Sequence, residues 1–173
     1  MSKLSSTDPL PHFHAVATAS AEASSADGFL AALDPALDAV FGHTLFTALL
    51  YDAESGYTER YYTSNPDAYP VGGRKPPNLT AWTQNLLVER RPYIGRNADD
   101  IREIFFDHEL ILSLGCESIL NIPVVHKGET LGTLNILNEA GWYDESDIPA
   151  AMVFAGLAVP AYLELAARYT KER

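Results

Sequence analysis

The chain has 173 residues, 47% of them apolar and 20% charged, so it can bury the core of one domain and is too apolar to be disordered. Twelve basic against 23 acidic residues give a net charge of −11, which disfavours nucleic acid and anionic membranes as partners because both require a cationic surface. The single cysteine, Cys116, excludes an internal disulfide and a cysteine-cluster metal site, and it fits a reducing compartment.

The N-terminus lacks the continuous apolar stretch of a signal peptide, and no run approaches the roughly 20 apolar residues of a membrane span. We therefore expect a cytoplasmic protein. Residues 1–26 are predicted to form an N-terminal arm and an alanine-rich helix, which would lie on a surface or pack against a partner. Residues 27–173 are predicted to form the main domain.

The main domain is predicted to open with a helix and a β-hairpin. Asp27 is placed to cap a helix that ends at Gly42, and Pro35 within it predicts a kink or a restart. Residues 43–52 and 57–65 are rich in β-branched and aromatic residues, which favours two antiparallel strands.

The middle of the chain alternates loops, short helices and a short strand. Prolines and glycines predict an exposed loop over 66–77, and a short helix is expected to begin at Asn78 or Thr80. A short strand is predicted at 92–95, and apolar residues at helical spacing predict one helix through 101–112.

A second hairpin, 118–125 and 130–137, precedes a long C-terminal helix capped by Ser146 or Asp147. Hairpins near both ends with helices between them indicate an α+β domain. Its central, mainly antiparallel sheet should contain about five to six strands flanked by helices.

The segment 113–148 carries the features of a known family: a strand with a serine and a proline, a turn with glycine, a strand that opens apolar-Gly-apolar, and an acidic helix cap. The residues are Ser118, Pro123, Gly128, Leu131-Gly132-Thr133-Leu134 and Ser146-Asp147. With the upstream helix and hairpin, the chain resembles the GAF domain family, sensory modules related to PAS domains, over about residues 27–170. The resemblance implies a ligand between one face of the sheet and the helices that join the central strands.

Two asparagines lie within the predicted final hairpin. In a strand, Ile119, Asn121, Pro123 and Val125 share one face, as do Leu131, Thr133, Asn135 and Leu137 in its partner. An unsatisfied buried amide costs about 1–3 kcal/mol, so Asn121 and Asn135 should each have a partner. That partner is either the other amide, the backbone or buried water, or it is a ligand.

One branch of the family reduces free methionine-(R)-sulfoxide with a cysteine nucleophile and a resolving cysteine. This chain has only Cys116, whereas such chemistry needs a partner thiol. The acidic residues of that branch's final hairpin are replaced by Ile119, Asn135 and Leu137. These departures from the reductase branch therefore favour a module without that activity.

Bilin-binding relatives carry a Cys-His pair on the helix before the final hairpin, and the corresponding residues here are Asp107 and His108. The aspartate excludes a covalent thioether at this position. His108 could ligate haem iron, or it could be a core histidine of an apolar helix face.

The cyclic-nucleotide signature of phosphodiesterase GAF domains, Asn-Lys-x-Phe-Asp-Glu, has no counterpart in the chain. The segment 72–75, Gly-Gly-Arg-Lys, could receive an anion through backbone amides and two cations. A solvated loop is the interpretation that we favour for it.

The candidate pocket residues combine aromatic walls with a few polar groups, as a small-molecule site requires. They are His108, Asn121, Asn135, Tyr62, Trp82, Phe105, Arg102 and Trp142. No residue is assigned a catalytic or metal-binding role, and no cofactor is expected, with haem as the alternative.

We expect a free-standing sensory or regulatory module that binds an unknown small molecule without catalysis and signals through an unidentified downstream protein. Alanine-rich terminal helices favour a homodimer built by helix packing, although the same surfaces could pack within one subunit. The alternatives are a dimerisation scaffold that binds nothing, a haem or bilin sensor, and the methionine sulfoxide reductase.

Overall fold

The computed structural model describes residues 7–171, so the first six residues of the predicted N-terminal arm lie outside the described residues. Six strands form one antiparallel sheet in the order β3-β2-β1-β6-β5-β4. The strands are β1 (Leu45–Tyr51), β2 (Thr58–Thr63), β3 (Arg74–Lys75), β4 (Tyr93–Gly95), β5 (Ser118–His126) and β6 (Glu129–Asn138). The predicted α+β class and strand number are confirmed.

The helices differ in length on the two sides of the sheet. They are α1 (Leu10–Glu22), α2 (Ala26–Phe41), α3 (Ala81–Thr83) with a π turn (Gln84–Val88), α4 (Ala98–Ile104), α5 (His108–Ser113) and α6 (Ile148–Lys171). The three long helices, α1, α2 and α6, pack on one another and on one face of the sheet. The short helices lie over the opposite face.

The face under the long helices is a closely packed apolar core. Leu120, Ile122 and Val124 of β5 are fully buried there beneath Phe154 and Tyr162 of α6. The alternation that the sequence predicted for β5 is therefore present: the odd-numbered residues Ile119 and Asn121 turn to the other face.

Helix α6 is long and apolar enough to cross a membrane by length and composition alone, whereas the sequence analysis found no such run. Phe154, Ala158, Tyr162 and Leu165 are buried against the sheet and α2, as in a core helix of a globular domain.

A β-bulge in β2 decides which side chains reach which face. Ala48 pairs with Tyr62 and Leu49 pairs with Arg60, so Tyr61 is the extra residue. An extra residue reverses the alternation of a strand beyond it. Arg60 consequently lies on the face of the short helices, and Tyr62 on the face of the long ones.

Three local predictions are wrong. The loop over 66–77 contains β3, which extends the sheet by pairing with Thr58 and Glu59. The helix predicted through 101–112 is broken after Ile104 into α4 and α5. Ser25, rather than Asp27, caps α2 by accepting a hydrogen bond from the Gly28 amide, and Pro35 lies inside that helix without a restart.

Gly132 fixes the contact between α6 and the sheet. A Cβ atom there would lie 2.0 Å from the Leu49 carbonyl oxygen and 2.6 Å from the Tyr162 ring. The ring is held in place because the Tyr162 hydroxyl donates to the Thr133 carbonyl oxygen at 2.8 Å. Only glycine lets β1 and α6 approach β6 this closely.

We predict that Gly132→Ala lowers the free energy of unfolding by about 3 kcal/mol, because neither the backbone oxygen nor the buried ring can yield. The control is Gly28→Ala, on an exposed position of α2 where an added Cβ makes only ordinary contacts, the nearest with Ser25 Oγ at 3.5 Å. It should raise stability by about 0.5–1 kcal/mol through helix propensity. Urea unfolding followed by circular dichroism measures both, and equal effects would contradict the close approach at Gly132.

Candidate functional site

A cavity of about 150 Å³ lies between the sheet and the short helices. Its floor is formed by side chains of β1, β2, β5 and β6, and its roof by the α3 region and by the segment between α4 and α5. Floor residues include Thr47, Arg60, Ile119, Asn121, Thr133 and Asn135; roof residues include Trp82, Leu86, Leu87, Ile104 and Phe105.

A chain of hydrogen bonds crosses the cavity floor and reaches the roof. The Trp82 indole Nε1 donates to Asn121 Oδ1 at 3.2 Å, and Asn121 Nδ2 donates to Asn135 Oδ1 at 2.7 Å. Asn135 Nδ2 in turn lies 3.2 Å from Thr47 Oγ1 and 3.4 Å from the Thr47 carbonyl oxygen. Both amides, only 1% and 5% exposed, are therefore satisfied within the protein, as buried polar groups require.

The roof is held over the floor by local capping and by one further hydrogen bond. Thr80 and Thr83 form a capping box that begins α3 one residue before Trp82. The π turn that follows directs Leu86 and Leu87 inward, and the Leu87 carbonyl oxygen accepts from Thr130 Oγ1 of β6 at 2.6 Å. Phe105 meets Trp82 edge to face, with ring centroids 5.3 Å apart.

Charged groups gather at the β2–β3 end of the cavity. The Arg60 guanidinium stacks on Tyr69 at 3.6 Å and donates from Nη1 to the Pro70 carbonyl oxygen at 2.7 Å. Asp107 accepts from the Tyr69 hydroxyl at 2.7 Å. Burial, and then the hydrogen bond to Asp107, raise the pKa of Tyr69, so its hydroxyl stays a donor at neutral pH.

The cavity opens between exposed apolar residues. Leu79 and Phe106 line it and are 88% and 78% exposed, and Val88 beside them is also exposed. Exposed large apolar side chains at the entrance of a concave site are typical of ligand-binding surfaces.

Four of the eight candidate residues line this cavity: Asn121, Asn135, Trp82 and Phe105. The other four, Tyr62, Trp142, Arg102 and His108, do not line it. Each departure has a local cause.

Tyr62 lies on the opposite face because of the bulge at Tyr61. Its hydroxyl donates to Asp34 of α2 at 2.6 Å, and the same carboxylate contacts His43 at 2.9 Å. Trp142 also belongs to that side: its indole Nε1 donates to the Phe41 carbonyl oxygen at 2.7 Å, at the end of α2. Tyr62 therefore connects β2 to α2, and Trp142 connects the loop after β6 to α2.

Arg102 and His108 are displaced by the break between α4 and α5. Arg102 is exposed and pairs with Asp99 one turn earlier, at 2.7 Å. His108 begins α5 in a half-buried position, and its Nδ1 is buried without a hydrogen-bond partner among the described residues. Apolar spacing could not be extrapolated across Phe105–Asp107, which is not helical.

Cys116 is fully buried in a small cluster with Leu45, Ile119 and Leu137 and does not line the cavity. Burial raises its pKa to about 11, so the nucleophilic thiolate is disfavoured at neutral pH. Within the described residues, no group of three or more His, Cys, Asp or Glu side chains could hold a metal ion.

Arg60 was not predicted as a cavity residue, and Lys75 was expected to lie in a solvated loop. Alternation within the predicted strand 57–65 could have indicated Arg60, because it places Arg60 on the same face as Tyr62, which was predicted to line the pocket. The strand β3, which brings Lys75 to the cavity, had no sequence signal, because its pairing with β2 depends on the fold of residues 66–77.

We predict that Asn121→Leu lowers the free energy of unfolding by about 2 kcal/mol, because it leaves the Trp82 N–H and Asn135 Oδ1 without partners. The double variant Asn121→Leu/Asn135→Leu should cost less than the sum of the two single changes, since the amides serve one another. Urea unfolding of the four proteins measures this coupling. Strict additivity would show that the amides do not interact in solution.

Comparisons with known proteins agree with this architecture. The family model for the GAF domain matches residues 28–161. The GAF domain of an Acinetobacter phosphoenolpyruvate-protein phosphotransferase is 12% identical, with 95% of this chain and 99% of that chain covered and a TM-score of 0.73. A search of curated proteins found no match.

Two structures from the ligand-binding and enzymatic branches are also similar. The phycocyanobilin-bound GAF domain of a cyanobacterial phytochrome is 13% identical, covering 97% of this chain and 99% of that one with a TM-score of 0.70. Free methionine-R-sulfoxide reductase from Neisseria meningitidis, in complex with its substrate, is 14% identical, covering 97% and 98% with a TM-score of 0.63. At these identities the likeness shows the fold alone.

Proposed function

The chain belongs to the GAF domain family, and from that premise we propose that it is a cytoplasmic sensory or regulatory module. It binds a small molecule non-covalently in the cavity and performs no chemistry on it. The observation that carries this proposal is the cavity itself, which has apolar walls, a few buried polar groups and an open entrance.

The lining supports reversible binding. Among the residues that line the cavity there is neither a cysteine nor a histidine. A thioether to a bilin and a histidine ligand to haem iron therefore have no donor in this cavity. Cys116 lies outside it with its thiol protonated, which disfavours the sulfoxide reductase as well.

The binding test compares the wild-type protein with a variant whose cavity is filled. Thr133 lies on the floor and is 4% exposed, so Thr133→Phe places a ring in the cavity. Thr18→Phe, on an exposed position of α1, is the matched control. Native mass spectrometry and thermal shift against a panel of small metabolites should find compounds that bind wild type and Thr18→Phe but lose binding at least about tenfold in Thr133→Phe.

The alternative function, a scaffold that binds nothing, predicts no compound with this pattern. Binding that persists unchanged in a folded Thr133→Phe variant would place the ligand elsewhere and contradict the proposal. The melting temperature of each variant without ligand shows that the comparison is made between folded proteins.

We further propose that the module signals as a homodimer through α6 and passes its state to a downstream protein. Much of the alanine surface of α6 is used inside the subunit, where Ala151, Ala155 and Ala158 are buried. A second side of the helix stays exposed and carries no charge from Met152 to Ala167. Its residues are Met152, Val153, Gly156, Pro160, Leu163 and Ala167.

We predict that Leu163→Arg, which introduces a charge into the 39% exposed centre of that stripe, converts a dimer into a monomer. Ala81→Arg, exposed on α3 at the other side of the sheet, should leave the dimer intact. Size-exclusion chromatography with light scattering measures the mass. A monomeric wild-type protein, or a dimer unaffected by Leu163→Arg, would contradict the α6 interface.

A further inference from the structure

The charged residues that line the cavity are both cations, although the chain as a whole has a net charge of −11. They are Arg60 and Lys75, and no aspartate or glutamate is among the described residues that line the cavity. In a protein with 23 acidic and 12 basic residues, such a lining selects for negative charge in the ligand.

Arg60 is unusually buried for a guanidinium, with its side chain 8% exposed. Its Nη1 is used by the Pro70 carbonyl oxygen, whereas its Nε is buried without a hydrogen-bond partner among the described residues. Nη2 approaches Asp107 no closer than 3.8 Å, which exceeds hydrogen-bond length. Nε is thus a donor without a protein partner, on a guanidinium that lines the cavity, and hydrogen bonds from a guanidinium to a carboxylate are among the strong ones in proteins.

Lys75 adds a second positive charge from the neighbouring strand. Its Nζ lies 4.6 Å from the Phe106 ring centroid and 4.0 Å from Asp107 Oδ1. Burial lowers the pKa of Lys75, Asp107 raises it and Arg60 lowers it, with burial the largest effect. At Lys75 the nearby carboxylate of Asp107 therefore does not offset the cost of burial, and an incoming anion would add to its effect.

The remainder of the cavity is suited to an apolar body of limited size. Its walls are Trp82, Leu86, Phe105, Ile111 and Ile119, and a protein cavity of about 150 Å³ accommodates a molecule of about the size of benzene. Asn78 and Thr133 offer neutral polar contacts on its sides. Among the described lining residues, the charged groups are Arg60 and Lys75 alone.

We infer that the ligand is a small organic carboxylate with one ring or one branched chain as its body. Its carboxylate is bound by Arg60 and Lys75, and its body lies against Trp82 and Phe105. This inference rests on the proposed function, because it names the chemical class of the ligand in the same cavity.

The test uses three probes of one shape and different charge: benzoate, benzamide and benzylamine. Isothermal titration of the full chain should show benzoate binding at least about tenfold more tightly than benzamide, because charge-assisted hydrogen bonds replace neutral ones. Benzylamine should bind most weakly of the three. Benzamide or benzylamine binding as tightly as benzoate would overturn the inference.

Two matched pairs of variants assign the effect to the cations. Lys75→Met should weaken benzoate about tenfold and leave benzamide unchanged, whereas Lys127→Met, exposed on the β5–β6 turn, should change neither. Arg60→Gln and exposed Arg102→Gln repeat the comparison for the guanidinium. If Arg60→Gln fails to fold, Lys75→Met decides alone, and an equal effect of Lys75→Met on both probes would overturn the inference.

The cavity-filling variant separates this inference from the proposed function. Neutral or cationic compounds that bind wild type and not Thr133→Phe would support the proposed function and would overturn the inference that the ligand is a carboxylate. If no compound of any charge binds in a way that Thr133→Phe abolishes, both the function and the inference fall.

Discussion

The structure depends on the buried hydrogen-bond chain that runs from Thr47 through Asn135 and Asn121 to Trp82. An amide inside a sheet core is costly unless each of its polar groups finds a partner. Here the partners come from three neighbouring strands and from the roof. The same contacts that satisfy the amides therefore fix the distance between floor and roof, and the space left between them is the cavity.

The two faces of the sheet are covered by different kinds of structure. Under the long helices, Gly132 and Tyr162 permit close packing and leave little room. On the other face, the roof consists of short helices, a π turn and proline-containing loops, which cannot cover the sheet as completely. Stability is concentrated on one face, and the other is free to bind a ligand at the cost of a buried polar chain and a buried Arg60.

The sequence predicted those features that follow from local periodicity. The two hairpins, the need of Asn121 and Asn135 for buried partners and the alternating faces of β5 all depend on regular strands. The errors occur where regularity ends. One extra residue at Tyr61 places Tyr62 on the far face while Arg60 lines the cavity. A helix break at Phe105–Asp107 separated His108 from the apolar stripe to which it was assigned. Such irregularities depend on packing between residues far apart in the sequence, and the local spacing of apolar residues carries no information about that packing.

The chain contains two tryptophans, and they provide a direct test of whether a small carboxylate binds beside the amide chain. The Trp82 indole N–H is bonded to Asn121 in the cavity, whereas that of Trp142 is bonded to the Phe41 carbonyl oxygen on the other side of the sheet. In a ¹⁵N-correlated NMR titration with benzoate, the account predicts that the Trp82 indole signal moves with saturation while the Trp142 signal stays in place. A saturating shift of the Trp142 signal alone, or a titration in which both stay unchanged, would contradict it.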